Sequence, residues 1–308
     1  MSVVVCTLGR VECLEACLAA LRGQTLAGLE KIVVMGPCEP QAEEMLSGQP
    51  DVRLLRIDRR NLSAARNVGV AAAGGSIVAF CDDDAAPRPD WLEHISAAFE
   101  NPDVAAAGGQ VLDGRTDPPE PAFCNGIVRL SGRQIDVRDR PGEFNDPRGP
   151  WYNRVCGCCC AFRKDALQRI GGFDEFIEFA YDETDVCVRL IRAGFRVVHV
   201  PQAVVVHMLA PGGHRQDELV RNWHCELKNQ LYFAMKNRRR GSGVRAVVRA
   251  IGRLIALSVR FARAARRGAI SRQQARRFRR DARRGVWAGI RAGLRRHHRP
   301  AREAPSRM

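Results

Sequence analysis

Along residues 1 to about 210, short apolar runs alternate with stretches whose apolar residues recur every three or four positions. Residues 3–6, 31–35, 52–57 and 77–81 read as short strands rich in β-branched side chains. Between them, residues 13–21 place Leu14, Cys17, Leu18 and Leu21 on one helical face, and residues 61–69 read as a helix start with Ser63 as its N-cap, stopped at Gly74-Gly75. A helix also starts near Pro89 or Asp90, ahead of Trp91. Strand-helix alternation of this kind predicts an α/β fold, a mostly parallel sheet with helices on both faces. Further on, 104–111 and 157–162 are expected strands and 164–170 a short helix. Asp182 opens a helix running to Gly194, and the strands 196–200 and 203–206 are expected to be separated by a turn at Pro201. Residues 113–150, rich in Pro, Gly, Arg and Asp, read as a long connection, either the wall of a substrate cleft or a solvated insertion.

After residue 235 the pattern changes. In 244–264, Arg245, Arg249, Arg253, Arg260 and Arg263 share one side of a helix, while Val247, Val248, Ile251, Leu254, Ile255 and Phe261 take the other. Residues 273–296 repeat this less regularly around Phe278, Val286, Trp287, Ile290 and Leu294, and 221–236 read as a connecting helix. The expected organisation is a catalytic domain over 1–215, a connecting helix over 216–240 and a basic helical appendage over 241–308.

Charge sharpens that division. The 308 residues carry a formal charge of +15, yet 236–308 alone hold 24 Lys and Arg against 2 Asp and Glu. A basic amphipathic pattern of this density fits a helix lying on an anionic membrane surface, through residues 243–296, where each Lys or Arg contributes about 1 kcal/mol. Packing of both apolar faces on the catalytic domain is the bland alternative. Nucleic acid is the less expected partner, because no zinc finger, RNP or helix-turn-helix pattern accompanies the arginines. No apolar run of ~18 residues is present and no targeting segment precedes the first strand, so the expectation is a cytoplasmic protein, peripheral to the inner face of the membrane. The 12 cysteines fall in apolar strands and helix faces and read as reduced, buried thiols. Cys156-Gly157-Cys158-Cys159-Cys160 is the one cluster that zinc could use, though it lacks the paired C-x2-C elements of a zinc ribbon.

Two acidic constellations carry candidate chemistry. Asp82-Asp83-Asp84 follows an apolar strand, where open α/β sheets place ligands; residues i and i+2 point the same way, so Asp82 and Asp84 can converge on a hard divalent cation while Asp83 faces elsewhere. The alternative is that the run only caps the next helix. Asp182-Glu183-Thr184-Asp185 opens a helix, where the macrodipole favours carboxylates, yet three acids in four positions exceed what a cap needs. His207 follows the last expected strand, a place where a lone histidine is usually structural. No G-x-G-x-x-G and no P-loop pattern is present.

Cys6-Thr7-Leu8-Gly9-Arg10, Gln24-Thr25, Ala65-Arg66-Asn67, Asp82-Asp83-Asp84, Gly171-Gly172-Phe173-Asp174, Asp182-Glu183-Thr184-Asp185 with Arg189, and 201–207 ending in His207 together resemble the family 2 glycosyltransferases, in order, over residues 1 to about 210. The resemblance implies a GT-A fold, a nucleotide-diphosphate sugar donor, a divalent metal (Mn2+ or Mg2+) and inversion at the anomeric carbon. By position it implies Asp82, Asp84 and His207 as metal ligands, with Asp84 the more direct. Thr7, Arg10, Arg66, Asp82 and Asp83 become donor-binding, and Glu183 the catalytic base, with Asp182 as competitor. The chain departs from the family where paired acids usually follow the second strand: here Val33-Val34 runs into Met35-Gly36-Pro37. The implied enzyme is a hexosyltransferase acting on a glycan or lipid-linked acceptor in cell-envelope polysaccharide or glycolipid synthesis. The rival is a non-catalytic scaffold whose arginine tail binds membrane or nucleic acid.

Overall fold

The computed structural model describes residues 1–38, 40–137, 144–210, 222–238 and 243–297. The boundary expected at 215/216, residue 221 at the head of the expected connecting helix, part of the 113–150 connection and the end of the appendage lie outside the described residues. The chain divides into two compact units, Met1–Arg129 with Gln134–Gly212, and Leu130–Arg133 with Gly213–Met308.

In the first unit the apolar runs form β1 (Ser2–Thr7), β2 (Glu30–Met35), β3 (Val52–Arg56) and β4 (Ile77–Asp82), joined by α1 (Val11–Arg22), α2 (Pro40–Ser47) and α3 (Leu62–Ala72). Helix α2 has no counterpart in the sequence reading, because it buries only Ala42 and Leu46 and so leaves a weak apolar stripe. Then come β5 (Ala85–Pro87), α4 (Trp91–Ala97), β6 (Val104–Asp113), β7 (Glu120–Phe123), β8 (Gly126–Val128), β9 (Gln134–Asp136), β10 (Tyr152–Arg154), β11 (Cys160–Arg163), α5 (Lys164–Arg169), α6 (Asp182–Arg192) and β12 (Arg196–His207). The main sheet has the order β3-β2-β1-β4-β11-β6-β12-β5, with β7 added on β6, and β10-β8-β9 form a small second sheet. Strands β1 to β4, β6 and β12 run in one direction, with β5, β7 and β11 antiparallel, which gives the mostly parallel sheet expected.

Alternation along the strands feeds two cores. Val3, Val5, Val33 and Ala79 pack with Leu14, Leu18 and Leu21 of α1 and Trp91, Leu92 and Ile95 of α4. Each such large side chain contributes roughly 1.5–3 kcal/mol on leaving water. On the other face Phe80, Phe162 and Phe173 meet edge to face at 5.4–5.9 Å.

Two local expectations are corrected. Asn61, not Ser63, caps α3, its carboxamide oxygen accepting from Ala64 N at 2.9 Å. Ser63 lies one residue inside the helix and donates to the Ile177 carbonyl. Pro201 does not end a strand: β12 runs unbroken from Arg196 to His207, and a bulge between Val200 and Val204 absorbs the proline against β6. Past the bulge the pairing resumes, so that His207 lies opposite Asp113 on one side and Ala85 on the other.

In the second unit α7 (Trp223–Lys236), α8 (Gly243–Arg266) and α9 (Arg272–His297) pack around Trp223, Leu227, Leu257, Phe261, Phe278 and Val286. The glycine ridge Gly285, Gly289 and Gly293 lets α9 approach α7 closely: a Cβ at Gly285 would lie 2.3 Å from the His224 carbonyl oxygen, and one at Gly289 would lie 2.6 Å from that of Lys228. No helix among the described residues is long and apolar enough to cross a membrane.

The β12 bulge depends on Gly109, where a Cβ would fall 2.0 Å from the Ala203 carbonyl oxygen and 2.8 Å from Cys159 Sγ. Backbone cannot yield as a flexible side chain would. Gly109→Ala is therefore expected to lower the unfolding free energy in urea by roughly 1–3 kcal/mol; an unchanged midpoint would mean that the bulge is dispensable.

Candidate active site

The carboxyl ends of β1, β4, β6 and β12 deliver Thr7, Asp82, Asp113 and His207 to one edge of the sheet. From β1 the chain turns to β2 on one side while β4 lies on the other, which opens the crevice where α/β sheets bind ligands.

Strand β4 ends at Asp82, and Asp83 and Asp84 form the turn into β5. Asp83 points back into the protein, as the two-residue period predicts: Thr7 Oγ1 donates to its Oδ2 at 2.7 Å, and the Arg10 guanidinium pairs with both of its oxygens. Asp84 is buried and held on both oxygens. Oδ1 lies 3.1 Å from His207 Nε2, and Oδ2 accepts from Ala210 N at 2.9 Å and from Arg10 at 3.0 Å. Burial alone would raise the Asp84 pKa, but the His207 contact and the charges of His207 and Arg10 hold it well below the usual carboxylate range. His207 responds in the opposite sense: burial disfavours its charge, yet Asp84 and Asp82 together raise its pKa above the ordinary value.

Asp82 is the open member, with 33% of its side chain exposed. Its Oδ2 lies 3.8 Å from His207 Nε2, too far for a hydrogen bond. Two ligands each about 2.1 Å from one divalent ion stand roughly 3–4 Å apart, so this spacing suits a shared cation. Confinement in the crevice raises the Asp82 pKa, against the pull of His207 and Arg66. Among the described residues, one group of three could hold a metal by mutual distance, and it is Asp82, Cys158 and His207, their ligand atoms all within 4.8 Å of one another. Asp84 joins that group through its contact with the histidine.

Cys158 is the residue that sequence reasoning missed. Its signal, the Cys156–Cys160 run, was visible, but it was weighed only as a self-contained zinc cluster and set aside for lack of paired C-x2-C elements, not considered as a contributor to the Asp82 and His207 group. Cys159 N donates to Cys156 O across a tight turn, Cys159 Sγ faces the Ala203 carbonyl, and Cys160 Sγ faces that of Gly157. Cys156 Sγ and Cys158 Sγ lie 3.7 Å apart, whereas the Cys159 and Cys160 sulfurs turn to separate carbonyls, and among the described residues it is Cys158 that joins a candidate site. All twelve cysteines are free thiols, and burial pushes those of Cys6, Cys159 and Cys187 up to about 12.

The second constellation reaches the first through Arg66. Its guanidinium is buried, 2.5 Å from Asp182 Oδ2, 3.0 Å from the Gly157 carbonyl, 3.7 Å from Asp82 Oδ1 and 4.0 Å from Glu183 Oε2, and it lies over the rings of Phe80 and Phe173. Arg66 is thus a buried crosspiece between the two acidic groups, not an arginine open to the crevice. Gly157 leaves room for it, since a Cβ there would lie 2.7 Å from Arg66 Nη2. Asn67 anchors the next turn, accepting from Phe173 N at 2.8 Å and donating to Phe173 O at 3.0 Å. Ala180 and Tyr181 both sit at positive φ, 58° and 70°, and turn the chain so that α6 starts with Asp182 against Arg66.

Within α6, Asp182 is 1% exposed and paired with Arg66, and its side chain also hydrogen-bonds Glu183, whereas the Glu183 side chain keeps 13% of its surface open. Burial first, and Asp182 next, push the Glu183 pKa well above the usual carboxylate range. Asp185 pairs with Arg189 one turn on, which explains the third acid structurally.

The family model described as glycosyl transferase family 2 matches residues 2–171. The chain is 28% identical over 223 residues to a glucosyl-dolichyl phosphate glucuronosyltransferase of Haloferax volcanii, covering 68% of this chain and 69% of that one. It is 30% identical over 186 residues to a pre-mycofactocin glycosyltransferase of Mycobacterium tuberculosis, covering 59% of this chain and 38% of the relative. Among solved structures it resembles a mannosyltransferase of Pyrobaculum calidifontis in complex with GDP-Man and Mn2+, with a TM-score of 0.53 and 19% identity over 97% of this chain and 86% of that one. It also resembles GalNAc-T7 with UDP, GalNAc and Mn2+, with a TM-score of 0.60 and 16% identity over 97% and 57%. These likenesses show the GT-A fold, and with the family match they establish that the chain belongs to glycosyl transferase family 2.

Proposed function

We propose that this glycosyltransferase moves a hexosyl group from a nucleoside-diphosphate donor to a hydroxyl of a glycan or lipid-linked acceptor, with inversion, at the inner face of an anionic membrane and in cell-envelope polysaccharide or glycolipid synthesis. The observation that carries this reading is the convergence of two acidic groups on one crevice, joined by Arg66. Retention of both groups argues against a scaffold that has lost its chemistry.

In this reading Asp82 and His207, which form the candidate group with Cys158, hold Mn2+ or Mg2+ together with Asp84; their oxygen and imidazole donors suit either ion, and the Cys158 thiol borders the set. Once bound, the ion supplies the positive charge that makes a nucleoside diphosphate a competent leaving group. Thr7 and Arg10 fix Asp83, and the exposed third of the Arg10 side chain offers its guanidinium to the donor phosphates. Arg66 acts on the donor site through the carboxylates that it orients. Glu183 is the general base. It takes the proton from the acceptor hydroxyl as that oxygen bonds to the anomeric carbon and the bond to the diphosphate breaks, in one displacement with no covalent enzyme intermediate. Asp182 cannot leave Arg66 to compete for this role, because either group would then stand as an uncompensated buried charge.

Four outcomes test the reading. Glu183→Gln is expected to lower kcat about 10²–10⁴-fold with little change in donor binding. In the wild type the rate should fall as pH drops through a pKa lying above 4.5, since the base works only when deprotonated and its pKa is raised; an acid limb that persists unchanged in Glu183→Gln would assign it elsewhere. Nucleoside diphosphates are expected to raise the melting temperature in a Mn2+-dependent way that Asp82→Asn and His207→Ala abolish, and equal shifts in all three proteins would remove those residues from the metal site. Arg66→Met should cost roughly 3–5 kcal/mol of stability by stranding Asp182, and Arg66→Met with Asp182→Asn should recover most of it; no recovery in the double variant would contradict the crosspiece role.

A further inference from the structure

Helix α8 has three faces where its sequence suggested two. Ala246, Leu257, Phe261 and Ala264 are buried within the second unit, and Arg245, Arg249, Arg260 and Arg263 form a solvent-exposed band. Between them Val244, Val248, Ile251, Ile255 and Val259 recur at four- and three-residue steps and stand 73%, 62%, 49%, 60% and 43% exposed. This spacing draws one continuous aliphatic row over four turns of the helix, bordered by the arginines.

We infer that this row is the part of the chain that enters the acyl boundary of an anionic bilayer, while the neighbouring arginines pair with lipid phosphates; the inference rests on the membrane association proposed above and names the side chains that perform it. Charge selects the occupant. A second copy of the chain would bring the same arginines against this face, and 236–308 hold 24 basic against 2 acidic residues. Nucleic acid would satisfy the arginines but would leave five aliphatic side chains in water, with no aromatic ring in the row for bases to stack on. Residues 211–221 and 298–308 carry only Leu219, Val220 and Met308 as large apolar side chains, too few to cover it. A lipid interface meets both demands at once, aliphatic residues below the headgroups and arginines among them.

The test is co-sedimentation of the full chain with vesicles of phosphatidylcholine alone or of equimolar phosphatidylcholine and phosphatidylglycerol, for wild type, Ile251→Glu with Ile255→Glu, and Arg245→Gln with Arg249→Gln. Expected is binding to the anionic vesicles that falls at least about tenfold in the glutamate variant, with the melting temperature held, since both positions are exposed. A single Ile255→Trp variant should shift its emission to the blue on anionic vesicles, and this readout decides even if the double variant folds poorly. Wild-type binding that is lost in the glutamine variant but kept in the glutamate one, with no emission shift, would overturn the aliphatic row and leave membrane association standing. Absence of vesicle binding, with a dimer that the glutamate variant dissociates or an oligonucleotide complex that the glutamine variant loses, would overturn both.

Discussion

A buried guanidinium is the constraint around which the catalytic unit is built. Arg66 leaves water almost completely, and a cation in that position persists only where opposite charge and hydrogen-bond acceptors meet it on every side. Asp182 supplies the charge and the Gly157 carbonyl an acceptor, while Phe80 and Phe173 close the faces. These partners come from α6, the turn before β11, β4 and the Gly171–Gly172 turn, segments far apart in sequence. Satisfying one side chain therefore brings together α3, β4 and α6, and with them the two carboxylate groups of the proposed site. The charge network is functional geometry enforced by a desolvation penalty.

The same constraint assigns unlike roles to neighbours. Asp182 and Glu183 differ by one methylene and one residue, but a helix turns 100° per residue. That rotation aims Asp182 into the guanidinium and leaves Glu183 partly open, in surroundings that favour its protonated form. On the other bank, Asp82, Asp83 and Asp84 are sorted by the end of β4 and the turn that follows. The middle carboxylate is consumed by Thr7 and Arg10, the last is shared by His207 and Arg10, and the first is open.

Legibility in the sequence followed the range of the forces involved. Strands β1 to β4 and helix α1 were readable because burial on a sheet writes a local period of two and burial of a helix face a period of 3.6. The acidic groups were readable because carboxylates in such density need an explanation beyond capping. Asn61 was passed over for Ser63 because both are good caps, and only docking of Ser63 on the Ile177 carbonyl separates them. Pro201 read as a strand end because nothing local announces that Gly109, ninety residues earlier, leaves room for the bulge. Cys158 stayed hidden among its neighbours, since which thiol meets Asp82 and His207 depends on the fold that brings β4, β12 and the turn before β11 together and not on spacing within the run.

The second unit shows how composition can suggest a class of partner while hiding the surface. Its charge is legible at a glance, but periodicity alone merged the buried and exposed apolar residues of α8 into one face. The structure separates them because α7 and α9 come close along the ridge at Gly285, Gly289 and Gly293 and cover only part of α8. The core is small for a segment so strongly charged, and like charges oppose its compaction. In the proposed association an anionic surface would relieve that repulsion where it is densest, which would link binding and folding stability of the unit through the same arginines that border the aliphatic row.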